Sequence, residues 1–376
     1  MPKTGSSSIQ ETLFFGLDDP RFLYVSAGEI NAVRAILLLC TDSTPPARVL
    51  GSATSDSGFL DRRRRSYRRK VEASLRRARA HGLQPILSAE SCWRMSEDEL
   101  QRLRSLLERE GFAVRVVAYL RTWKEWIESS YQQHCKNECV HGSKPWTVAF
   151  APPNPSLLRY RDRFETVDRV FGRENVLLRK FDPRSFPGRD IVRDFCHQLG
   201  ISIPEGRIRR ANESLSLDAL KLLVAYGRFG NREPGWGRRS ARQYRWLLRR
   251  LRDLSGPPLR LHSSLVEPMI APVLPQLDWL EERLGAPMRE DLGAHDATPE
   301  CIRSDEDLMR FSGESLRWLS EVAGGGPISG TSGEETARQV GDRVHRLRHS
   351  FPGAGILGHS ARTAVESSWV RWVKGA

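Results

Sequence analysis

The chain has 376 residues, 59 Lys+Arg against 46 Asp+Glu, and a formal net charge of +13, with 39% apolar and 28% charged residues. That balance excludes disordered and collagen-like classes and leaves a soluble globular protein with room for a substantial core. No apolar run approaches the roughly 20 residues of a membrane span. Six scattered cysteines without a CxxC spacing argue against a disulfide framework or a structural zinc site, so a reducing cytoplasm is the expected compartment. The start at Met1-Pro2-Lys3 shows no signal-peptide core. Only eight of the cations are lysines and 51 are arginines. Arginine suits bidentate contacts to phosphate, sulfate and carboxylate, so an anionic partner is one reading of the charge and compositional bias the other.

In chain order, a polar loop leads into a short helix from Ser6 to about Phe15. Ala35 to Cys40 reads as a core segment. Arg62 to Ala80 is a basic helix with an apolar stripe at Tyr67, Val71 and Leu75. Pro85 to Glu90 fits a buried strand whose polar end opens onto a site. Ser96 and Glu99 form a capping box, with Met95 and Leu100 as its staple, for a helix running to about Glu110. Ala113 to Leu120 is the clearest strand; Arg121 follows it, and a helix is expected from Trp123 to about Lys136. A further strand is expected at Asn175–Arg179, with helices at Ile191–Leu199, Leu215–Ala225, Tyr244–Leu254 and Glu335–Ser350. Strands alternating with helices predict an α/β fold, a parallel sheet with helices on both faces and a mainly helical C-terminal part. The expected division is an α/β domain over 1–290 and a helical and linker extension over 291–376, with Gly324-Gly325-Gly326 as linker and the last twenty-five residues peripheral. Ligands of such sheets bind at the carboxyl ends of strands, which singles out Glu90 and Arg121.

Two segments carry chemistry. In Lys3-Thr4-Gly5-Ser6-Ser7-Ser8, Gly5 permits a tight turn and the serine amides face outward at a helix N-terminus, where the dipole favours an anion. Lys3 adds a positive charge. The segment is a phosphate cradle without the Walker A spacing; a plain serine-rich N-terminus is the bland alternative. In the second segment Arg121 closes a strand and Ser129 lies eight residues on, about two helical turns away, so both can grip one phosphate. The bland alternative is an ion pair between Arg121 and Glu125.

Together the two segments resemble the nucleotide-binding motifs of the sulfotransferase superfamily, bacterial members in particular. These enzymes use 3′-phosphoadenosine 5′-phosphosulfate (PAPS). The Lys3–Ser8 run looks like the family's 5′-phosphosulfate loop, and Arg121 with Ser129 has the spacing of its 3′-phosphate clamp. The order continues with Val167 to Phe181 and a Leu199-Gly200-Ile201 turn, so the resemblance covers about residues 1–225. It implies a P-loop NTPase-like fold, PAPS as co-substrate, no metal, and sulfuryl transfer to a hydroxyl or amine of a carbohydrate or small metabolite. Lys3 would stabilise the leaving phosphate, with Thr4, Gly5, Ser6, Ser7 and Ser8 binding the nucleotide beside it. Glu90 would be the base, where the family places a histidine or glutamate, and Glu29 is the rival. The family loop is preceded by a buried strand, whereas this sequence starts at the loop; either the start lies upstream or the sheet lacks that strand. The glycine-rich motif of the eukaryotic cytosolic branch is not found, leaving the adenine and ribose contacts unassigned. The basic helix Arg62–Arg79 offers a surface for an anionic glycan acceptor, against the plainer reading of a solvated face.

Other clusters are weaker. His345 and His349 lie four apart without the glutamate of a zinc-protease helix, and His134, Cys135, Cys139 and His141 read as a chance grouping. Trp123 and Trp126 read as core, and Asn212 as a helix cap. A small-molecule kinase and a catalytically degenerate relative are the alternative functions. A nucleic-acid binder is disfavoured, because no helix-turn-helix, zinc or OB-type signature occurs.

Overall fold

The structure, a computed structural model, describes residues 2–41, 57–141, 155–211, 213–230 and 238–351. It is mostly helical, with two short parallel strand pairs. The N-terminal pair joins β1 (Phe22–Tyr24) to β2 (Gln84–Ile86), in the register Phe22 to Gln84 and Tyr24 to Ile86. Parallel pairing demands a crossover, and α1 (Ser6–Gly16) precedes β1 while α2 (Val33–Cys40) and α3 (Ser57–Ala80) lie between the two strands. The second pair joins β3 (Val116–Leu120) to β4 (Val176–Lys180) along five residue pairs. Before β3 comes α4 (Glu97–Arg109), and between β3 and β4 lie α5 (Trp123–His141) and α6 (Tyr160–Phe171).

The expected continuous parallel sheet is therefore seen as two separate two-stranded pieces. Among the described residues β2 pairs only with β1, and β3 only with β4. The strands are also shorter than their apolar runs. β3 begins at Val116 rather than Ala113 because β4 offers no partner before Val176. The run after Ile86 leaves the pair and forms a single 3₁₀ turn at Glu90–Arg94.

Local signals placed the helices well. Ser96 accepts from the Glu99 amide and Glu99 reaches back to the Ser96 amide, completing the box, while Met95 and Leu100 are both buried. Asp190 caps α7 (Ile191–Leu199) by accepting from the amides of Val192 and Arg193, and Gly200 ends it in the left-handed region. The stripe of Tyr67, Val71 and Leu75 is buried against α2, as the four-residue spacing requires.

The largest core is built around α8 (Leu217–Phe229), whose Leu217, Leu220, Leu222, Leu223 and Val224 are buried on every side. A helix apolar all round must lie in a protein interior. Around it and within the same core stand α9 (Arg238–Leu251), α10 (Ser263–Ile270), α11 (Leu277–Leu284), α12 (Gly313–Ala323) and α13 (Glu334–His349). Gly341 of α13 lies so close to α8 that a Cβ there would stand 2.9 Å from the Ala225 carbonyl oxygen. Residues 291–351 thus share the core of the preceding helices, while the stretch from 352 onward lies outside the described residues. Trp123 and Trp126 are both buried in this core. The rings of His345 and His349 pack 4.4 Å apart, with His345 beside Tyr226.

Candidate anion-binding site

The first helix is set by its entry. Lys3 and Gly5 both adopt positive φ, 67° and 74°, and a Cβ at Gly5 would stand 2.7 Å from Cγ2 of Ile191. Only glycine meets both demands. The turn wedges the start of α1 against the start of α7. Gly5 contributes no side-chain cap, and its carbonyl accepts from the Ser8 and Ile9 amides. The amides of Ser6 and Ser7 are thus at the open end of the helix, where backbone N–H groups and the dipole attract an anion. Further along, Ser8 exchanges two hydrogen bonds with the backbone of Ala211, and Thr12 two with that of Arg209. Thr4 is buried. Of the four hydroxyl residues grouped in the cradle, Ser8 is therefore committed to the fold, and Ser6 faces Glu90.

α1 is also pinned to the carboxyl end of β2. Gln10 donates to Ser88 at 3.1 Å, and the Ser6 hydroxyl donates to Glu90. The sequence placed Ser6 and Glu90 in separate motifs 84 residues apart; the structure joins them. Glu90 is half-buried and lies in the field of Lys3, whose charge it favours. Burial works against that charge more strongly, and Arg121 adds to the effect, so the Lys3 ammonium is pulled down to about 8.

Arg121 stands directly after β3. Its guanidinium lies 4.3 Å over the Phe181 ring, its Nε is buried without a hydrogen-bond partner, and it has no ion pair among the described residues. The pairing with Glu125 is not formed. Burial pulls its pKa below the usual arginine range. Such a group has paid desolvation without a counter-ion. Ser129 lies in the second turn of α5, half-buried, and its hydroxyl makes no hydrogen bond to Arg121. Arg121 and Ser129 are not joined by a hydrogen bond in the structure.

Glu29 has a different role. It accepts from Arg34 at 2.8 Å and from the Tyr67 hydroxyl at 2.5 Å, tying the end of β1 to α3. Both contacts hold its carboxylate, as the Ser6 hydroxyl holds that of Glu90. Asn212 and the side chains of Cys139 and His141 lie outside the described residues. No group of three or more His, Cys, Asp or Glu side chains suited to a metal occurs among the described residues. Among them no helix is long and apolar enough to cross a membrane.

One cation escaped the sequence reading. Lys136, near the far end of α5, is in electrostatic reach of Lys3 and Arg252. No motif flagged it; the only available signal was its place seven residues after Ser129, which sets both on one helix face. Burial and these two cations draw its ammonium down to about 7. Its Nζ donates to Gln132 Oε1 at 3.3 Å and to the Glu213 carbonyl at 3.2 Å.

No protein-family model matches the chain, and no solved structure matches it. A stretch of 139 residues, 37% of the chain, is 25% identical to an uncharacterized protein of Archaeoglobus fulgidus. That stretch spans 36% of the archaeal protein's length.

Proposed function

We propose that the chain is a PAPS-dependent sulfotransferase on a P-loop-like α/β scaffold, acting on a hydroxyl or amine of a carbohydrate or small metabolite. The observation that carries this reading is the meeting of Lys3, Ser6, Glu90 and Arg121 at the carboxyl ends of two parallel strand pairs. Three of the four sit in separate sequence motifs, and their convergence is what transfer to an acceptor needs: a cation for developing charge, a base, and an anchor for the donor.

The residues fit a ligand with strongly anionic groups. Arg121 is half-buried, with its Nε out of solvent and unpartnered and no ion pair among the described residues, and the amides of Ser6 and Ser7 end a helix near it. PAPS would supply a sulfuryl group on a phosphate leaving group. Lys3 and the two amides hold the 5′ end and stabilise negative charge there. Arg121 and Ser129 anchor the 3′-phosphate. Glu90 takes the acceptor proton on its carboxylate, and Ser6 fixes the carboxylate's orientation. The exposed arginines of α3, including Arg65, Arg68, Arg76 and Arg77, give an anionic glycan acceptor a surface to lie on.

Thermal-shift titration with adenosine 3′,5′-bisphosphate, the desulfated product, tests the reading without an acceptor. Stabilisation in the absence of magnesium is expected. A response to magnesium ATP alone would turn the assignment toward a kinase. No response to either nucleotide would remove the sulfotransferase.

A further inference from the structure

The backbone on either side of Arg121 is held by parts of the fold that lie outside the motifs. Before it, the Leu120 carbonyl accepts from the Phe181 amide at 2.6 Å, and the Phe181 ring lies under the guanidinium at 4.3 Å. After it, the chain turns into α5 through Thr122 and Trp123. Glu290 closes that turn from 168 residues further along the chain. One carboxylate oxygen accepts from the Thr122 hydroxyl at 2.5 Å and the other from the Lys124 amide at 3.0 Å. The carboxylate serves α5 as an N-cap side chain serves other helices. It satisfies an amide of the first turn and sets negative charge at the positive end of the dipole. Thr122 and Lys124 are buried and Glu290 is half-buried, so its loss would leave donors without partners away from water.

Glu290 is itself carried by an anchored stretch. The Lys180 ammonium, at the end of β4, donates to the Pro287 carbonyl at 2.6 Å. The amides of Met288 and Arg289 donate to Glu281 of α11 at 2.8 and 2.9 Å. Met288 is buried in the core, and the Lys124 ammonium donates to the Leu292 carbonyl. Residues 287–292 are therefore tied to the carboxyl end of β4 and to the turn that follows β3. With Leu120 fixed by the chain after β4 and Thr122 fixed by Glu290, Arg121 has both neighbours clamped.

We propose that Glu290 is a positioning residue: by holding Thr122 and the Lys124 amide it sets the direction in which Arg121 presents its guanidinium to an anion. It touches no ligand itself. The proposal rests on the sulfotransferase reading for the identity of that anion, the 3′-phosphate of the nucleotide. Loss of the clamp acts on that end of the ligand and leaves the loop end alone.

Isothermal titration of the full chain with adenosine 3′,5′-bisphosphate and adenosine 5′-monophosphate separates this role from a plain stabilising one. Glu290→Ala is expected to weaken the bisphosphate at least threefold per folded molecule. The monophosphate, which has no group for Arg121, should stay within twofold of wild type. In an Arg121→Gln background the same substitution should add nothing, because the group it positions is gone. A bisphosphate loss below threefold, a comparable loss for both nucleotides, or a full loss in the Arg121→Gln background overturns the role. Thr122→Val, which keeps the shape and removes the hydroxyl, replaces Glu290→Ala if that variant fails to fold. A wild-type chain that binds neither nucleotide defeats the sulfotransferase reading by itself, and one that binds both alike removes Arg121 from the 3′-phosphate. In either case phenylglyoxal labelling of Arg121 judges Glu290, read by peptide mass spectrometry against the exposed Arg184. A labelling rate changed at least threefold in Glu290→Ala upholds the role, and a smaller change overturns it.

Discussion

The cations of this protein fall into two populations. In the scaffold, several arginines that reach inward meet carboxylates. Arg179 forks onto Asp194 at 3.0 and 2.9 Å, Arg283 onto Asp168 at the same distances, and Arg260 onto Glu128 at 2.8 Å. Around the start of α1 no such pair forms. Lys3, Arg121, Lys136 and Arg252 have no carboxylate at ion-pair distance among the described residues, and Glu90 is the one acid whose field acts on Lys3. Ion pairing is not the rule throughout the scaffold, since buried Arg343 donates to the Ser320 hydroxyl and the Gly326 carbonyl and buried Lys124 to the Leu292 carbonyl. On the proposed reading, the cations around the start of α1 await an anion, whereas the forked arginines complete the fold.

Breaking the site side should give the larger effects. Glu90→Gln is expected to cut turnover by about 10²–10⁴-fold, the usual contribution of a general base, while bisphosphate binding stays within a few-fold. Wild-type turnover in this variant would remove Glu90 from the chemistry. Arg121→Gln should weaken bisphosphate binding by about 10–100-fold, since a charge-assisted hydrogen bond contributes about 1.5–3 kcal/mol, and should leave the melting temperature near wild type or above it.

The scaffold population should respond in the opposite sense. Asp168→Asn leaves Arg283 half-matched in the interior and should cost about 3–5 kcal/mol of stability, read by chemical denaturation, with ligand affinity per folded molecule unchanged. If Asp168→Asn abolished binding in a fully folded sample, the two populations would not be separable as drawn.

Alkaline pH sharpens the comparison with a smaller effect. Lys3 and Lys136 have folded-state values of about 8 and about 7, below the ordinary lysine value of 10.5. Between about pH 7 and 10.5 the unfolded chain binds more protons at these two positions, so their contribution to stability rises with pH. Anion binding needs the charged forms and falls over the same range. Bisphosphate affinity should therefore drop several-fold from pH 6.5 to 9, and Lys3→Gln should flatten the drop. Affinity independent of pH in the wild-type chain would show that neither ammonium meets the ligand.

Much of the helical scaffold was legible because its signals are local. The capping box at Ser96 and Glu99, the stripe at Tyr67, Val71 and Leu75, and the run from Ile191 to Leu199 all depend on neighbours a few positions away. The strands were harder. Their apolar runs fix existence but not length, which depends on where a partner strand begins, as at Val116 and Val176. In the site, Lys3, Gly5, Glu90 and Arg121 could be picked out by residue type and by position at strand and helix ends. The bond between Ser6 and Glu90 could not, since it spans 84 residues of chain. Lys136 and Arg252 were invisible for the same reason: a lysine among neutral neighbours becomes informative only when tertiary packing shows what stands opposite.

The contact between Gly5 and Ile191 gives the loop a mechanical linkage. α7 is fastened through Asp194 to Tyr119 on β3 and Arg179 on β4, so an unbroken train of contacts joins strand pair, helix and loop. On the proposed reading, a slackening at Asp194, remote from every group offered to a ligand, would reach a bound nucleotide as faster escape. Residence time, rather than contact chemistry, is the quantity that this train would then govern.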